Sequence, residues 1–178
     1  MRVDIKLEGL KELKNVTNKD LYFKAEARTI REAGRKFRTT TVKAVRKTYN
    51  VKASELKKRM KIGNSKDSYK YEWHMYVKGR PLGLENFGAR QTKKGVSVLI
   101  KRQSGRKVLL HTFLRRGKSG NLKVFARKGK ERLPIKSYYT ISIPQMFTKE
   151  IVDAGLERVE REYKRDFERN LLYYITKK

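Results

Sequence analysis

The sequence predicts an α+β fold with a long N-terminal helix and a short second helix, a central and mainly antiparallel β-sheet, and a long C-terminal helix. Two observations predict this class. Apolar residues recur at helical spacing near both ends of the 178-residue chain, whereas between them they alternate with polar residues at the period of a strand. The resulting order of helix, helix, sheet and helix is typical of an α+β domain.

The length of the chain fits one domain over residues 1–178. Within it we expect an N-terminal strand and helices in residues 1–63, a basic β region in 69–143 and the C-terminal helix in 147–176. The strand is indicated by the alternation of Val3, Ile5 and Leu7, which ends at Gly9 and is followed by a turn over residues 10–13.

A stripe of apolar and small residues predicts a long helix over residues 20–49. Its members are Phe23, Ala27, Ile30, Gly34, Phe37, Thr41, Ala44 and Thr48. The small residues among them indicate close approach to another element. A second helix is predicted from Ser54 through Met60, and we expect it to end before Gly63.

The middle of the chain reads as strands separated by glycine-rich turns. The alternating segments are residues 69–77, 96–100, 108–113 and 122–126. Residues 135–143 lie between Pro134 and Pro144 and cannot be helical throughout.

The C-terminal helix is capped by Thr148 in this interpretation, and Glu150 and Asp153 suit the positive end of its dipole. Its apolar face consists of Ile151, Gly155, Leu156, Val159, Tyr163, Phe167, Leu171 and Tyr174.

The net charge of +29 is concentrated in the β region. Residues 86–130 contain fourteen Lys and Arg and no acid, whereas residues 149–169 contain seven acids and six bases. A charged run is often only a solvated surface, but segregation on this scale favours a surface that faces a polyanion. No apolar stretch approaches the ~20 residues of a membrane span, so we expect no membrane partner.

Nothing in the sequence predicts catalysis, a metal site or a cofactor. The chain has two His and no Cys, and His74 lies on the polar phase of its strand, where we expect it to be exposed or at an interface. Residues 117–120 contain Gly-Lys-Ser without the upstream glycine of a phosphate-binding loop, so they are interpreted as a turn. Phe113 and Phe125 each precede basic residues, a pattern that could stack on and bind nucleic acid, although no RNA-binding or helix-turn-helix signature accompanies it.

The segment between residues 80 and 147 resembles the phage minor tail protein Z family, the tail-completion proteins of lambda-type phages. The residues that carry the resemblance are Arg80-Pro81-Leu82, the run Phe87-Gly88-Ala89-Arg90-Gln91-Thr92-Lys93-Lys94-Gly95-Val96-Ser97-Val98, Phe113, Val124-Phe125, Arg127, Arg132-Leu133-Pro134-Ile135 and Ser142-Ile143-Pro144-Gln145-Met146-Phe147. The family pattern leads us to expect a Gly within residues 136–141, where this chain has none.

This resemblance implies a structural virion protein, not an enzyme, at the head-proximal end of a long tail. There it would act in tail completion and head–tail joining, beside the DNA channel. The implied partners are the tail terminator, the tube and the tape measure, other copies in a ring of six, and packaged DNA bound without sequence preference. We expect it in the virion, and in the host cytoplasm during assembly. The alternative, which depends on charge alone, is a free-standing, sequence-independent nucleic-acid-binding protein.

The predicted site consists of two sets of residues. The basic surface for assembly or DNA comprises Arg90, Lys93, Lys94, Lys101, Arg102, Arg106, Lys107, Arg115, Arg116, Lys118, Arg127 and Lys128. The structural loop comprises Phe87, Gly88 and Gly95, where glycine suits a tight turn or close backbone approach.

Overall fold

Two units make up the chain in the computed structural model, which describes residues 1–5, 19–67, 70–117 and 120–176. Unit 1 comprises Met1–Val42, Met60–Val77 and Thr148–Lys178, and unit 2 comprises Lys43–Arg59 and Lys78–Phe147. Long helices near both ends and antiparallel sheets between them confirm the predicted α+β class. The prediction of one domain over residues 1–178 stays a prediction. No helix in the described ranges has the length and apolar character needed to cross a membrane.

Unit 1 combines two long helices with a three-stranded antiparallel sheet. Helix α1 spans Lys19–Thr48, and its residues up to Val42 belong to this unit. The strands β1 (Arg2–Ile5), β2 (Met60–Asp67) and β3 (Lys70–Val77) pair in the order β1-β3-β2. Helix α4 spans Lys149–Thr176 and begins after Thr148, whose carbonyl accepts hydrogen bonds from the backbone of Ile151 and Val152.

Glycines allow the helices of unit 1 to approach their neighbours closely. A Cβ at Gly34 would overlap the indole of Trp73, and one at Gly155 would overlap the ring of Phe37. The rings of Phe37 and Trp73 meet edge to face, with centroids 6.1 Å apart. Both rings are buried, so the core of unit 1 forms where α1 contacts β3 and α4, as the small residues of the predicted stripe indicate.

A line of polar side chains, here called the polar seam, joins α1 to α4. The seam comprises Thr29, Glu32, Lys36, Glu162, Asp166, Arg169 and Asn170. Lys36 Nζ lies 2.6 Å from Glu162 Oε2 and also contacts Asp166, which is only 2% exposed. Hydrogen bonds from Lys36 and Arg158 lower the pKa of Glu162 from 4.5 to about 2. The buried polar side chains of the seam, Thr29, Asp166 and Asn170, each have a hydrogen-bond partner, as burial demands.

Unit 2 contains short elements in three antiparallel sheets. Its helices are α2 (Ala53–Arg59) and α3 (Ile143–Met146), and its strands are β4 (Pro81–Gly83), β5 (Arg90–Thr92), β6 (Gly95–Val98), β7 (Lys107–Leu110), β8 (Thr112–Arg116), β9 (Leu122–Arg127), β10 (Ile135–Ser137) and β11 (Tyr139–Ser142). The sheets have the strand orders β5-β6-β7, β10-β9-β8 and β11-β4. A core cluster of Leu84, Val96, Val98 and Val124 joins residues of the β5-β6-β7 and β10-β9-β8 sheets.

The structure corrects the predicted end of the second helix. Residues 60–67 form strand β2, although Met60 was expected in the helix and no strand was predicted over this segment. Eight residues of β2 pair with β3, from Met60 opposite Val77 to Asp67 opposite Lys70. A neighbouring strand supplies the backbone partners, and that tertiary contact overrides the weak local tendency of Gly63 to turn. The predicted turn over residues 10–13 lies outside the described residues.

One predicted strand is also divided. Residues 108–113 form parts of β7 and β8, because His111 adopts a φ of 57° and the chain turns there. The Thr112 hydroxyl stabilises this turn by donating to Leu109 O at 2.6 Å while accepting from Val96 N at 3.0 Å. Residues 135–143, which were expected not to be helical throughout, form β10 and β11 up to Ser142, and α3 begins at Ile143. Strand β10 pairs with β9, and β11 pairs with β4.

Candidate functional site

The two faces of the β10-β9-β8 sheet differ in chemistry. Strand residues alternate between faces, so one face carries Leu114 and Val124, which pack on the core of unit 2. The other face, here called the outer face, comprises Phe113, Arg115, Lys123, Phe125, Arg127 and Ile135. Every strand of this sheet therefore contributes an apolar or basic side chain to one surface.

A cleft of about 860 Å³ opens on the outer face. It is lined by Phe113, Arg115, Arg116, Gly117, Lys123, Phe125, Arg127, Arg132, Leu133 and Ile135. Five of these ten residues are cations and none is an acid, whereas four are apolar side chains. The cleft consequently suits a ligand that is both anionic and partly apolar.

The apolar floor of the cleft is built on two stacked rings. Phe113 and Phe125 are opposite each other on β8 and β9, with centroids 6.0 Å apart and planes at 29°. Phe125 is 9% exposed and Phe113 is half-buried, so Phe113 is the more accessible ring of the pair. Leu133 and Ile135 extend the floor and are 67% and 38% exposed, respectively.

Cations around this cleft are not neutralised by the protein. Residues 78–147 hold 18 Lys and Arg and two acids, Glu85 and Glu131. Within the described part of this range, no Lys or Arg forms an ion pair. Uncompensated cations that share one surface sum to a positive potential, which raises the local concentration of a polyanion.

The predicted basic residues separate into three groups. Arg115, Arg116 and Arg127 line the cleft, and Arg127 and Lys128 line a second hollow of about 480 Å³ beside His111 and Lys130.

A second group lies elsewhere on unit 2. Arg90, Lys93 and Lys94 are exposed on the β5–β6 hairpin, and Lys101 and Lys107 line a hollow of about 320 Å³.

Arg102 and Arg106 form the third group, in which the guanidinium donates hydrogen bonds to backbone carbonyl groups of the protein. Arg106 donates to Gly88 O at 2.6 Å and to Ser97 O at 2.9 Å, and Arg102 donates to Arg46 O at 2.8 Å. These two side chains therefore hold loops in place. Lys118 lies outside the described residues.

The three predicted loop residues occupy constrained positions. Phe87 is fully buried at the end of the 3-10 helix Leu84–Phe87, and Gly88 follows it with a φ of 63°. At Gly95 a Cβ would collide with Leu109 O on the neighbouring strand. Only glycine fits Gly88 and Gly95 without strain.

Lys123 and Arg132 line the cleft although the sequence interpretation left them out. Lys123 lies two residues before Phe125 and four before Arg127, so strand periodicity alone could have placed it on the same face. Arg132 lies between β9 and β10, in a segment without regular periodicity. No sequence signal was available for it.

His74 is buried, which corrects the expectation of an exposed or interfacial side chain. It lies on the central strand of its sheet, so β1 and β2 flank it on both edges. Its Nε2 is 3.3 Å from Ser65 Oγ and 3.6 Å from Glu72 Oε2. Among the described residues no His, Asp and Glu cluster has the arrangement of a metal site.

Comparisons with known proteins identify the family. A protein-family model described as prophage minor tail protein Z matches residues 7–177 of the 178-residue chain. The resemblance carried by residues 80–147 is thus confirmed over nearly the whole sequence. Searches of curated proteins and of solved structures find no match. The chain therefore belongs to the prophage minor tail protein Z family, and it is a phage minor tail protein and a component of the virion.

Proposed function

We propose that the protein acts at the head-proximal end of the tail, in tail completion and head–tail joining, with its basic sheet surface directed toward the DNA channel. The observation that carries this proposal is the segregation of charge. Unit 2 holds 25 Lys and Arg against three acids, so it accounts for 22 of the 29 net positive charges. A component of a tail that conducts DNA gains from such a surface.

The physical basis is counterion release. Cations that neutralise phosphates liberate condensed counterions, and this gain does not depend on base sequence. Phosphate contacts position a protein on DNA without reading it. The exposed cations of the outer face and of the β5–β6 hairpin meet this need, because within the described residues they have no acidic partner.

The role is structural and not catalytic. Its partners on this proposal are the tail terminator, the tube, the tape measure and further copies of the chain. A tail end has cyclic symmetry, so we expect six copies in a ring closed by heterologous contacts. Assembly takes place in the host cytoplasm, and the product is carried in the virion.

A charge-reversal experiment tests the proposal. Phage carrying Arg115→Glu, Arg127→Glu and Lys128→Glu together are compared with phage carrying Arg161→Glu and Lys164→Glu, which are exposed on α4 of unit 1. We expect the first variant to fold and enter tails, but to join heads poorly or lose DNA. Micrographs of head–tail joining, DNA content and infectious titre measure this. A normal titre from the first variant would refute the proposal.

The alternative of a free-standing nucleic-acid-binding protein makes a different prediction. Such a protein would be absent from purified virions and would bind free DNA tightly. We instead expect a fixed number of copies per virion and weak, sequence-independent binding in solution. Quantitative mass spectrometry of purified particles separates the two.

A further inference from the structure

We propose that the outer face binds an unpaired, single-stranded stretch of DNA, with phosphates on its cations and a base against Phe113. This inference rests on the proposed function, which brings DNA to the protein. It adds that the ligand at the cleft is a strand with accessible bases and not only a duplex backbone.

The first support is the order of side chains across the sheet. On β9, Lys123, Phe125 and Arg127 follow each other at every second residue, about 7 Å apart on the same face. On β8, Arg115 lies opposite Lys123 and Phe113 lies opposite Phe125. Along these two strands the outer face thus presents first the cations Arg115 and Lys123, then the rings Phe113 and Phe125, and then the cation Arg127. Positively charged grooves with aromatic platforms are the general mode of single-strand binding.

The apolar floor provides the second support. A duplex offers phosphates and hides the faces of its bases within the stack, so Phe113, Leu133 and Ile135 would find no partner on it. Leu133 is 67% exposed, and covering it would remove apolar area from water. An unpaired base supplies a flat surface that contacts such a floor.

The third support is that the repeating unit of a DNA strand matches the alternation of side chains on the outer face. Every nucleotide carries one charge and one planar base, and the outer face likewise alternates cations with rings along β8 and β9. In an acidic peptide, charge and apolar surface come from different residues, and nothing fixes their alternation. Rigid strands also hold Phe113 in place, so little side-chain entropy is lost when a base stacks on it.

Binding of fluorescent probes to the full-length protein tests the inference. The probes are an oligothymidylate of about twelve nucleotides, a duplex of equal length and an acidic peptide that contains Phe. The test variant is Phe113→Leu, the conservative variant is Phe113→Tyr, and the control is Tyr139→Leu, an aromatic residue 56% exposed on β11 outside the cleft. Circular dichroism and thermal unfolding verify that each variant folds.

We expect the wild-type protein to bind the single strand more tightly than the duplex. Phe113→Leu should weaken single-strand binding about tenfold and leave duplex binding unchanged, because it removes the ring and keeps the cations. Phe113→Tyr retains the ring and should retain the affinity, as should Tyr139→Leu.

Three results would count against the inference in distinguishable ways. Equal affinity for both DNA forms, unaffected by Phe113→Leu, would overturn it and leave the proposed DNA-facing role intact. Tighter binding of the acidic peptide would overturn it in favour of a protein partner. Failure to bind DNA of either form would remove this inference and the DNA contact of the proposed function together.

Discussion

Unit 1 carries 22 Lys and Arg against 15 acids, whereas unit 2 carries 25 against three. In unit 1 several cations form ion pairs with carboxylates of the fold. Arg158 bonds to Glu162 at 3.0 Å, and Arg169 bonds to Asp166 at 3.2 Å. In unit 2, Arg115 and Arg127 lie exposed in a cleft without an acid.

This difference separates two uses of positive charge in one chain. Paired cations in unit 1 satisfy buried carboxylates such as Asp166, so their removal should lower stability. The exposed cations that line the cleft in unit 2, such as Arg115 and Arg127, have no acidic partner among the described residues and repel each other, so their removal should change binding instead of stability. Composition alone would assign all of these residues to one basic surface.

The largest expected effect concerns the core of unit 1. Phe167→Ala should lower the free energy of unfolding by about 3–5 kcal/mol, because the ring is 2% exposed and packs edge to face on Tyr22 at 5.3 Å. Leu172→Ala, 61% exposed on the same helix, should stay within about 0.5 kcal/mol. Urea denaturation measures both. Equal effects would mean that α4 does not present Phe167 to a core.

The next effect tests how strongly backbone geometry stabilises the β region of unit 2, because no Lys or Arg in the described part of residues 78–147 forms an ion pair. Gly95→Val should cost about 1–3 kcal/mol, since its side chain would collide with Leu109 O on β7. Gly129→Val is the matched control, because a Cβ at Gly129 meets no atom within 4 Å. Thermal unfolding should separate the two variants. Similar melting temperatures would show that the β6–β7 pair tolerates expansion.

Replacing two paired arginines, or two unpaired arginines, by Gln tests the difference between the two units directly. Arg158→Gln with Arg169→Gln should cost about 1–2 kcal/mol of stability, because each Arg donates to a carboxylate of the polar seam. Arg115→Gln with Arg127→Gln should stay within about 0.5 kcal/mol. The second pair should instead reduce the salt dependence of DNA binding, by roughly 0.7–0.9 in logarithmic slope for each lost phosphate contact.

Urea denaturation and salt titration of DNA binding together check this prediction. The opposite pattern, with stability lost in unit 2 and the salt slope altered by the unit 1 variant, would contradict the division of roles.

The smallest effect is a pH dependence confined to unit 1. Lys36 and Arg158 lower the pKa of Glu162 from 4.5 to about 2, so the folded state favours the ionised carboxylate. This stabilisation is present above pH 4.5 and is lost as the pH falls from about 4.5 to about 2. Glu162→Gln should flatten the stability profile in that window. Parallel profiles for the variant and the wild type would contradict the assignment.

The sequence determined the two long helices, several of the strands and the family. The stripe from Phe23 to Thr48 predicted α1, and the face from Ile151 to Tyr174 predicted α4, because a helix brings residues three and four apart to one side whatever lies opposite. The concentration of cations in residues 86–130 was also visible in the sequence. These features are local, so neighbouring residues suffice to specify them.

Tertiary structure decided which backbone and side-chain groups find partners. Strand β2 forms because β3 lies beside it and supplies its backbone partners. Asp166 and Asn170 are buried within an otherwise apolar face of α4 because α1 supplies Lys36 and Thr29 as their partners. Arg106 and Arg115 are both exposed arginines, yet Arg106 donates to Gly88 O whereas Arg115 lines the cleft without an acidic partner among the described residues. The hydrogen bonds and ion pairs of a cation depend on residues distant in the chain. The sequence therefore showed where positive charge is concentrated, whereas only the fold determined which cations are available to bind a ligand.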